Sequence, residues 1–261
     1  MRTGISTACL YPMYTEQALA KLLNAGFSLF EIFFNSFSEL DKTFLSTLRH
    51  MLLEQNAQVK SIHPFTSGSE SYLLFSNYQR RFEDTCKFYD RYFETAAYLG
   101  AEIVVLHGDR NPLKGGLTEE DYFERYAVLA ERGRRAGVTL AQENVNLFRS
   151  QDPAFIRRMS AYLGDQVRYV LDVKQAVRAG FDPFAMLEAM GENLVHVHIN
   201  DNTKEEDCLL PGAGRMDFNR LIESLRGFKY DGDLIIEVYS KNFACFEELI
   251  KARQTVEQLI K

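Results

Sequence analysis

Eight short apolar runs, separated by longer amphipathic stretches, constrain this chain more than any other feature of its sequence. The runs are GISTACLY (4–11), SLFEIFF (28–34), QVKSIH (58–63), AEIVVLH (101–107), GVTLAQE (137–143), VRYVLD (167–172), LVHVHIN (194–200) and DLIIEVY (233–239). Runs of this length read as strands, and between two of them Phe82, Cys86, Tyr89, Phe93 and Ala96 recur at helical spacing, which predicts a helix with one buried stripe. Strands that alternate with helices imply a parallel α/β sheet. Eight such units in 261 residues favour closure into a single (β/α)8 TIM barrel, one domain over residues 1–261. The rival is an open doubly wound sheet, but the glycine-rich phosphate loop of its nucleotide-binding form is absent.

Helix boundaries agree with this division. Asp152-Pro153 and Asp182-Pro183 each place a capping oxygen ahead of a proline suited to the first helical position, and Thr118 precedes an acidic first turn. Gly26, Gly100, Gly137, Gly164, Gly191 and Gly232 stand shortly before strands, where a helix closing in the left-handed conformation selects glycine. The stretch LLPGAGRMDF (209–218) reads as a tight loop before a helix begun near Asp217. No window of about 18 apolar residues could span a bilayer. The N-terminus lacks the apolar segment of a signal peptide, so a cytoplasmic location is expected. Cys9, Cys86, Cys208 and Cys245 form no Cys-x-x-Cys pair and read as reduced thiols rather than zinc ligands. A net charge of −6 argues against charge-driven nucleic-acid binding and favours a small-molecule partner.

In a barrel of this kind the chemistry lies at the C-terminal ends of the strands. Runs three to eight bring His63, His107, Glu143, Asp172, His198 and Glu237 to that end. A lone histidine there is more often a hydrogen-bonded residue than a ligand, and a lone acid is often only a helix cap. Six together differ, because carboxylates converging on one low-dielectric mouth stay ionised only at high cost unless a cation neutralises them. Residues two apart on a strand share a face, so Asp172 continues the row of Val170, Glu237 that of Ile235, and His196 lies one layer below His198. His198 is therefore expected to be a ligand and His196 its support. Glu31 also points inward but is expected on the far side of the cluster, as a structural residue or a substrate contact.

SIHPF with His63, VVLHGD with His107, AQENV with Glu143, VLDVKQA with Asp172, HVHIND with His198 and LIIEVY with Glu237 follow one another in a familiar order. The chain resembles the xylose isomerase-like TIM barrels, the superfamily of sugar phosphate isomerases/epimerases and endonuclease IV, over nearly its whole length. The resemblance implies that Glu143, Asp172, His198 and Glu237 hold one divalent ion; three oxygen-donor residues and one imidazole suit Mn, Zn, Co or Mg. It further implies that Glu143 and Glu237 exchange protons as acid and base on opposite faces of a small sugar, through a metal-stabilised enediolate. His63 and His107 would then bind substrate hydroxyls or a second ion. Lys174, Gln175 and Arg215 are candidate substrate contacts near strand ends, with Lys174 or Arg215 meeting a phosphate or carboxylate unless it is a solvated surface charge. The segment 66–78 beside His63 would cover the mouth or simply pack.

Two departures bear on the reaction. The family commonly carries a His three residues after the strand-six Asp, where this chain has Gln175, and the stretch KEEDCLLPGAGRMDF (204–218) offers no His for the third zinc site of endonuclease IV. The leading expectation is a metal-dependent isomerase or epimerase of a sugar or sugar phosphate. An endonuclease IV-related metallohydrolase or phosphodiesterase is the first alternative, since His63, His107 and Glu143 match that enzyme's first zinc ligands. A non-catalytic sugar-binding protein gains weight from Gln175, and a dehydratase or lyase acting on a related polyol completes the set. Neither nucleic acid nor membrane is an expected partner, and a homo-oligomer is compatible with the sequence.

Overall fold

All eight runs form strands in the computed structural model, which describes residues 1–110 and 116–261. The strands are β1 (Thr3–Ser6), β2 (Leu29–Phe33), β3 (Gln58–His63), β4 (Ile103–Leu106), β5 (Thr139–Glu143), β6 (Tyr169–Asp172), β7 (Leu194–Ile199) and β8 (Leu234–Ile236). Each pairs in parallel with its neighbours in sequence, and β1 pairs with β8 to close the barrel. The first and last strands are shorter than their apolar runs. After Ser6 the chain turns into a 3-10 helix, with the Ser6 hydroxyl accepting from Ala8 N at 3.3 Å, and β8 stops one residue before Glu237.

Side-chain alternation divides each strand between two cores. Outward residues such as Phe30, Ile32, Val104, Leu171 and Val197 pack beneath the helices, whereas Ile103, Val105, Ala141 and Val170 fill the barrel interior. The inward rows run on towards the mouth: His107 follows Val105, Glu143 follows Ala141 and Asp172 follows Val170. A one-residue slip would turn a whole row inside out, and each buried Val, Leu or Ile stabilises the correct register by about 1.5–3 kcal/mol. The apolar core thereby aims the polar strand ends.

The helices hold this frame from outside. Phe82, Cys86, Tyr89, Phe93 and Ala96 form the buried stripe of the helix Gln79–Leu99. Thr118 and Asp121 make a capping box on Glu119–Arg135, and Asp152 and Asp182 cap Pro153–Leu163 and Pro183–Met190. Five of the six pre-strand glycines have positive φ, including Gly26, Gly100 and Gly137 at 82°, 76° and 76°. Gly232 departs from the expectation. The left-handed residue after the preceding helix is Lys229, at φ 57°, and a Cβ on Gly232 would lie 2.5 Å from Tyr230 Oη and 2.7 Å from Val195 O, so close packing selects glycine there. Among the described residues no helix is long and apolar enough to cross a membrane.

Candidate metal centre

Four adjacent strands deliver Glu143, Asp172, His198 and Glu237 to one point at the mouth, with one donor atom from each lying within 4.8 Å of all the others. His198 Nδ1 is 3.4 Å from Glu143 Oε1, 3.4 Å from Glu237 Oε2 and 3.8 Å from Asp172 Oδ2. Four donors at about 2.1 Å from a common ion in tetrahedral array stand roughly 3.4 Å apart, so the spacing fits a divalent cation. Hydrogen bonding supports the same fit. Glu143 Oε2, Asp172 Oδ2 and His198 Nδ1 are buried and form no well-aligned hydrogen bond, although His107 Nε2 and Lys174 Nζ stand 2.9 and 3.1 Å from the first two. Buried polar atoms rarely stay unsatisfied, and a cation held among Glu143, Asp172, His198 and Glu237 would complete them.

The ligands are held from behind. Asn144 Oδ1 accepts from Asp172 N at 2.7 Å, Asn144 Nδ2 donates to Asp172 O at 2.9 Å, and Asn200 Nδ2 donates to Asp172 Oδ1 at 3.3 Å. Glu31 does not lie on the far side of the cluster as expected. Its Oε2 accepts from Ser61 Oγ at 2.8 Å and stands 3.0 Å from His198 Nε2 and 3.4 Å from His196 Nε2, because the closed barrel brings β2 across the interior to β7. A proton on His198 Nε2 shared with Glu31 leaves the Nδ1 lone pair facing the other ligands. His196 sits one layer down, its Nε2 3.0 Å from Ser61 Oγ and 3.4 Å from Glu31 Oε2, so its polar reach is to Glu31, the partner of His198, instead of to His198 itself.

Electrostatics at the centre favour a cation. Burial alone would push the Glu143 carboxyl up, but His107, His198 and His63 outweigh it and hold the group well below the usual carboxylate range. Burial would likewise lower His198, yet Glu31, Glu237, Asp172 and Glu143 raise it well above its ordinary value. The field that favours a proton on this imidazole equally favours a metal ion at Nδ1.

His63 and His107 form a second group with Glu143. Their Nε2 atoms are 3.0 Å apart, and lie 3.7 Å and 2.9 Å respectively from Glu143 Oε2. The His63 ring stacks on Phe33 with centroids 4.6 Å apart. Behind His107, buried Glu70 accepts from Gly108 N at 2.5 Å and from Tyr89 Oη at 2.6 Å. The segment 66–78 therefore packs inward through Glu70, Leu74 and Phe75 and fixes the turn after His107, while Tyr72 and Tyr78 stay exposed. Sequence reasoning missed Glu70, since an acid in an aperiodic polar stretch gives no sign of burial.

The three remaining candidates differ in placement. Lys174 is only 2% exposed, so it is no solvated charge: Nζ lies 2.8 Å from Glu237 Oε2 and 3.1 Å from Asp172 Oδ2. Burial would lower its pKa, but Asp172 and Glu237 raise it well above the usual value. Gln175 is half-buried, and its Oε1 accepts from Asn146 N at 3.1 Å, which ties the loop after β5 to the helix Val173–Arg178 that follows β6. Arg215 is exposed in the loop after β7, and among the described residues its side chain makes no hydrogen bond or ion pair. That loop is organised by buried Asp201, which accepts from Gly212 N, Gly214 N and Met216 N at 2.8–3.1 Å. Asp217 caps the helix Phe218–Gly227 that follows.

Comparison with known proteins agrees with this architecture. A protein of Mycobacterium leprae described as uncharacterised is 24% identical over 263 residues, covering 91% of this chain and 89% of that protein. Inosose dehydratase of Lacticaseibacillus casei is 22% identical over 277 residues, covering 93% and 88%. Among solved structures, D-psicose 3-epimerase of Clostridium cellulolyticum H10 superposes with a TM-score of 0.82 at 15% identity over the full length of both chains. The family described as xylose isomerase-like TIM barrel matches residues 19–261, and the chain belongs to it.

Proposed function

We propose that this chain is a divalent-metal-dependent isomerase or epimerase acting on a small sugar, keto-sugar or sugar phosphate. The observation that carries the reading is the convergence of Glu143, Asp172, His198 and Glu237, with one donor atom of each within 4.8 Å of the others and Asp172 Oδ2 and His198 Nδ1 buried without a well-aligned hydrogen bond. A sugar epimerase and an inosose dehydratase among the similar proteins support a polyhydroxylated substrate. When bound, the ion supplies Lewis-acid polarisation of a carbonyl oxygen.

The residues of the chain do the rest. Glu143 at the end of β5 and Glu237 just past β8 approach from different sides of the mouth, so one can take the proton from the carbon next to a carbonyl and the other can return it on the opposite face. His63 and His107 offer ring nitrogens to substrate hydroxyls, or with Glu143 hold a second ion. Arg215, exposed and with no side-chain hydrogen bond or ion pair among the described residues, is the contact for a phosphate or carboxylate if the substrate carries one. Gln175 holds the loop of Asn146, which follows Glu143 in the chain.

A second reading, a dehydratase, is favoured by the inosose dehydratase relative. Both reactions begin with removal of the same kind of proton, and they part at whether a neighbouring hydroxyl then leaves. The test is to incubate Mn²⁺-loaded protein with a panel of ketoses, ketose phosphates and inososes in D₂O. Epimerisation incorporates deuterium at the carbon beside the carbonyl without loss of mass, whereas dehydration yields an unsaturated ketone and water. Absence of exchange across the panel, together with sugar binding, would favour a non-catalytic role.

A further inference from the structure

The proposed acid–base pair and the imidazoles leave one buried group at the centre without a task. Lys174 lies two residues past Asp172, in the first turn of the helix Val173–Arg178, and its stem runs back to the mouth. Its Nζ contacts Glu237 Oε2 at 2.8 Å and Asp172 Oδ2 at 3.1 Å. These are the same two oxygens that stand 3.4 Å and 3.8 Å from His198 Nδ1. On its remaining side Nζ lies 5.2 Å from the centroid of the Tyr239 ring, another attraction for a cation.

We propose that Lys174 is a built-in counter-cation of the metal centre, sharing Glu237 Oε2 and Asp172 Oδ2 with the divalent ion and weakening the ion's binding. The inference rests on the metal reading given above. The three ligating carboxylates, Glu143, Asp172 and Glu237, carry one more charge than a divalent ion brings, and the Lys174 ammonium lies against two of them. A carboxylate oxygen can meet an ammonium proton and an ion at once. Lys174 therefore stays in place when the ion binds, and the two cations repel across the oxygens they share. In the metal-free protein the ammonium neutralises part of the gathered charge and keeps the mouth assembled. A lysine spent in this way is not available to a substrate phosphate.

The test compares wild type with Lys174→Met, which keeps the stem and removes the charge, and with Lys174→Arg, which keeps the charge. Mn²⁺ is titrated into metal-stripped protein while the EPR signal of the free ion reports binding. Removing a unit charge a few ångströms from a divalent ion should tighten binding by about tenfold or more in Lys174→Met, while Lys174→Arg stays much closer to wild type. Metal-free Lys174→Met loses the ammonium between Asp172 and Glu237, so it should melt lower than wild type and gain more in Tm from added Mn²⁺. A variant recovered folded only with Mn²⁺ present would count in favour. Wild type that binds Mn²⁺ with Lys174→Met binding equally or more weakly would overturn this inference and leave the metal reading standing. Absence of binding by both would overturn the two together.

Discussion

The barrel gathers charge at both ends but saturates it at only one. At the N-terminal end Arg2 donates to Asp233 Oδ1 through its backbone N and Nε at 2.9 and 3.1 Å and to Oδ2 through Nη2 at 2.7 Å, and Nη1 donates to Gln58 Oε1 at 2.6 Å. Both Asp233 oxygens have partners, and the fork geometry leaves nothing for a ligand. At the mouth the same kinds of group are brought as close, yet Glu143 Oε2, Asp172 Oδ2 and His198 Nδ1 are buried without well-aligned hydrogen bonds, and His107 and Lys174 make only close contacts to the first two. The difference teaches how to tell a structural ion pair from a site. Satisfied lone pairs hold a fold together, and converging unsatisfied ones await something the chain does not supply.

The contrast is broken most severely at Glu143, which belongs to both groups of ligands at the mouth. Glu143→Gln should reduce turnover of a competent substrate by about 10²- to 10⁴-fold, the usual worth of a general acid–base group, and should also weaken Mn²⁺ binding. Turnover within a factor of a few of wild type under saturating Mn²⁺ would remove Glu143 from proton transfer.

A smaller effect is expected one layer down, at Glu31. Glu31→Gln should weaken metal binding by about 10- to 100-fold, the usual consequence of disturbing the partner of a ligating histidine. Its pH behaviour gives a second reading. Burial pushes the Glu31 carboxyl up, but His198 and His196 outweigh that and hold it well below the ordinary range. A carboxyl depressed in the folded state adds stability that is complete above its unfolded value of about 4.3 and is lost as pH falls through the folded value. The acid limb of metal-free wild type should therefore be steeper below about pH 4.3 than that of Glu31→Gln, and identical slopes would contradict the pairing.

The smallest functional effect belongs to the saturated end. Asp233→Asn should cost roughly 1–3 kcal/mol of stability, read from denaturant midpoints, and leave Mn²⁺ affinity and turnover per folded molecule unchanged. A loss of metal affinity there would mean that the two ends are coupled and the contrast is misdrawn.

How much of this was legible beforehand follows from the physics of each residue. Six strand-end groups could be read because strand alternation is local: once Val170 and Ala141 face inward, Asp172 and Glu143 must as well. Partners across the barrel could not be read the same way. Closure of the sheet was legible, but the pairing of Glu31 with His198 across the interior was not, and the register shift between Phe30 and Glu31 in the β2–β3 pairing leaves no mark in the sequence. Lys174 was open between substrate contact and solvated charge, because a lysine in a first helical turn is usually exposed; only the placement of Asp172 and Glu237 around it shows why it is buried. Gly232 carried the signature of a helix terminus, yet it is fixed by the approach of Tyr230 and Val195.

The most direct test of the central claim is anomalous scattering at the manganese edge from crystals of the wild-type chain grown with Mn²⁺. The account predicts a peak at the mouth, at about 2.0–2.6 Å from a donor atom on each of Glu143, Asp172, His198 and Glu237. A mouth without a peak under saturating Mn²⁺, or these four side chains turned away from an ion bound elsewhere, would contradict it.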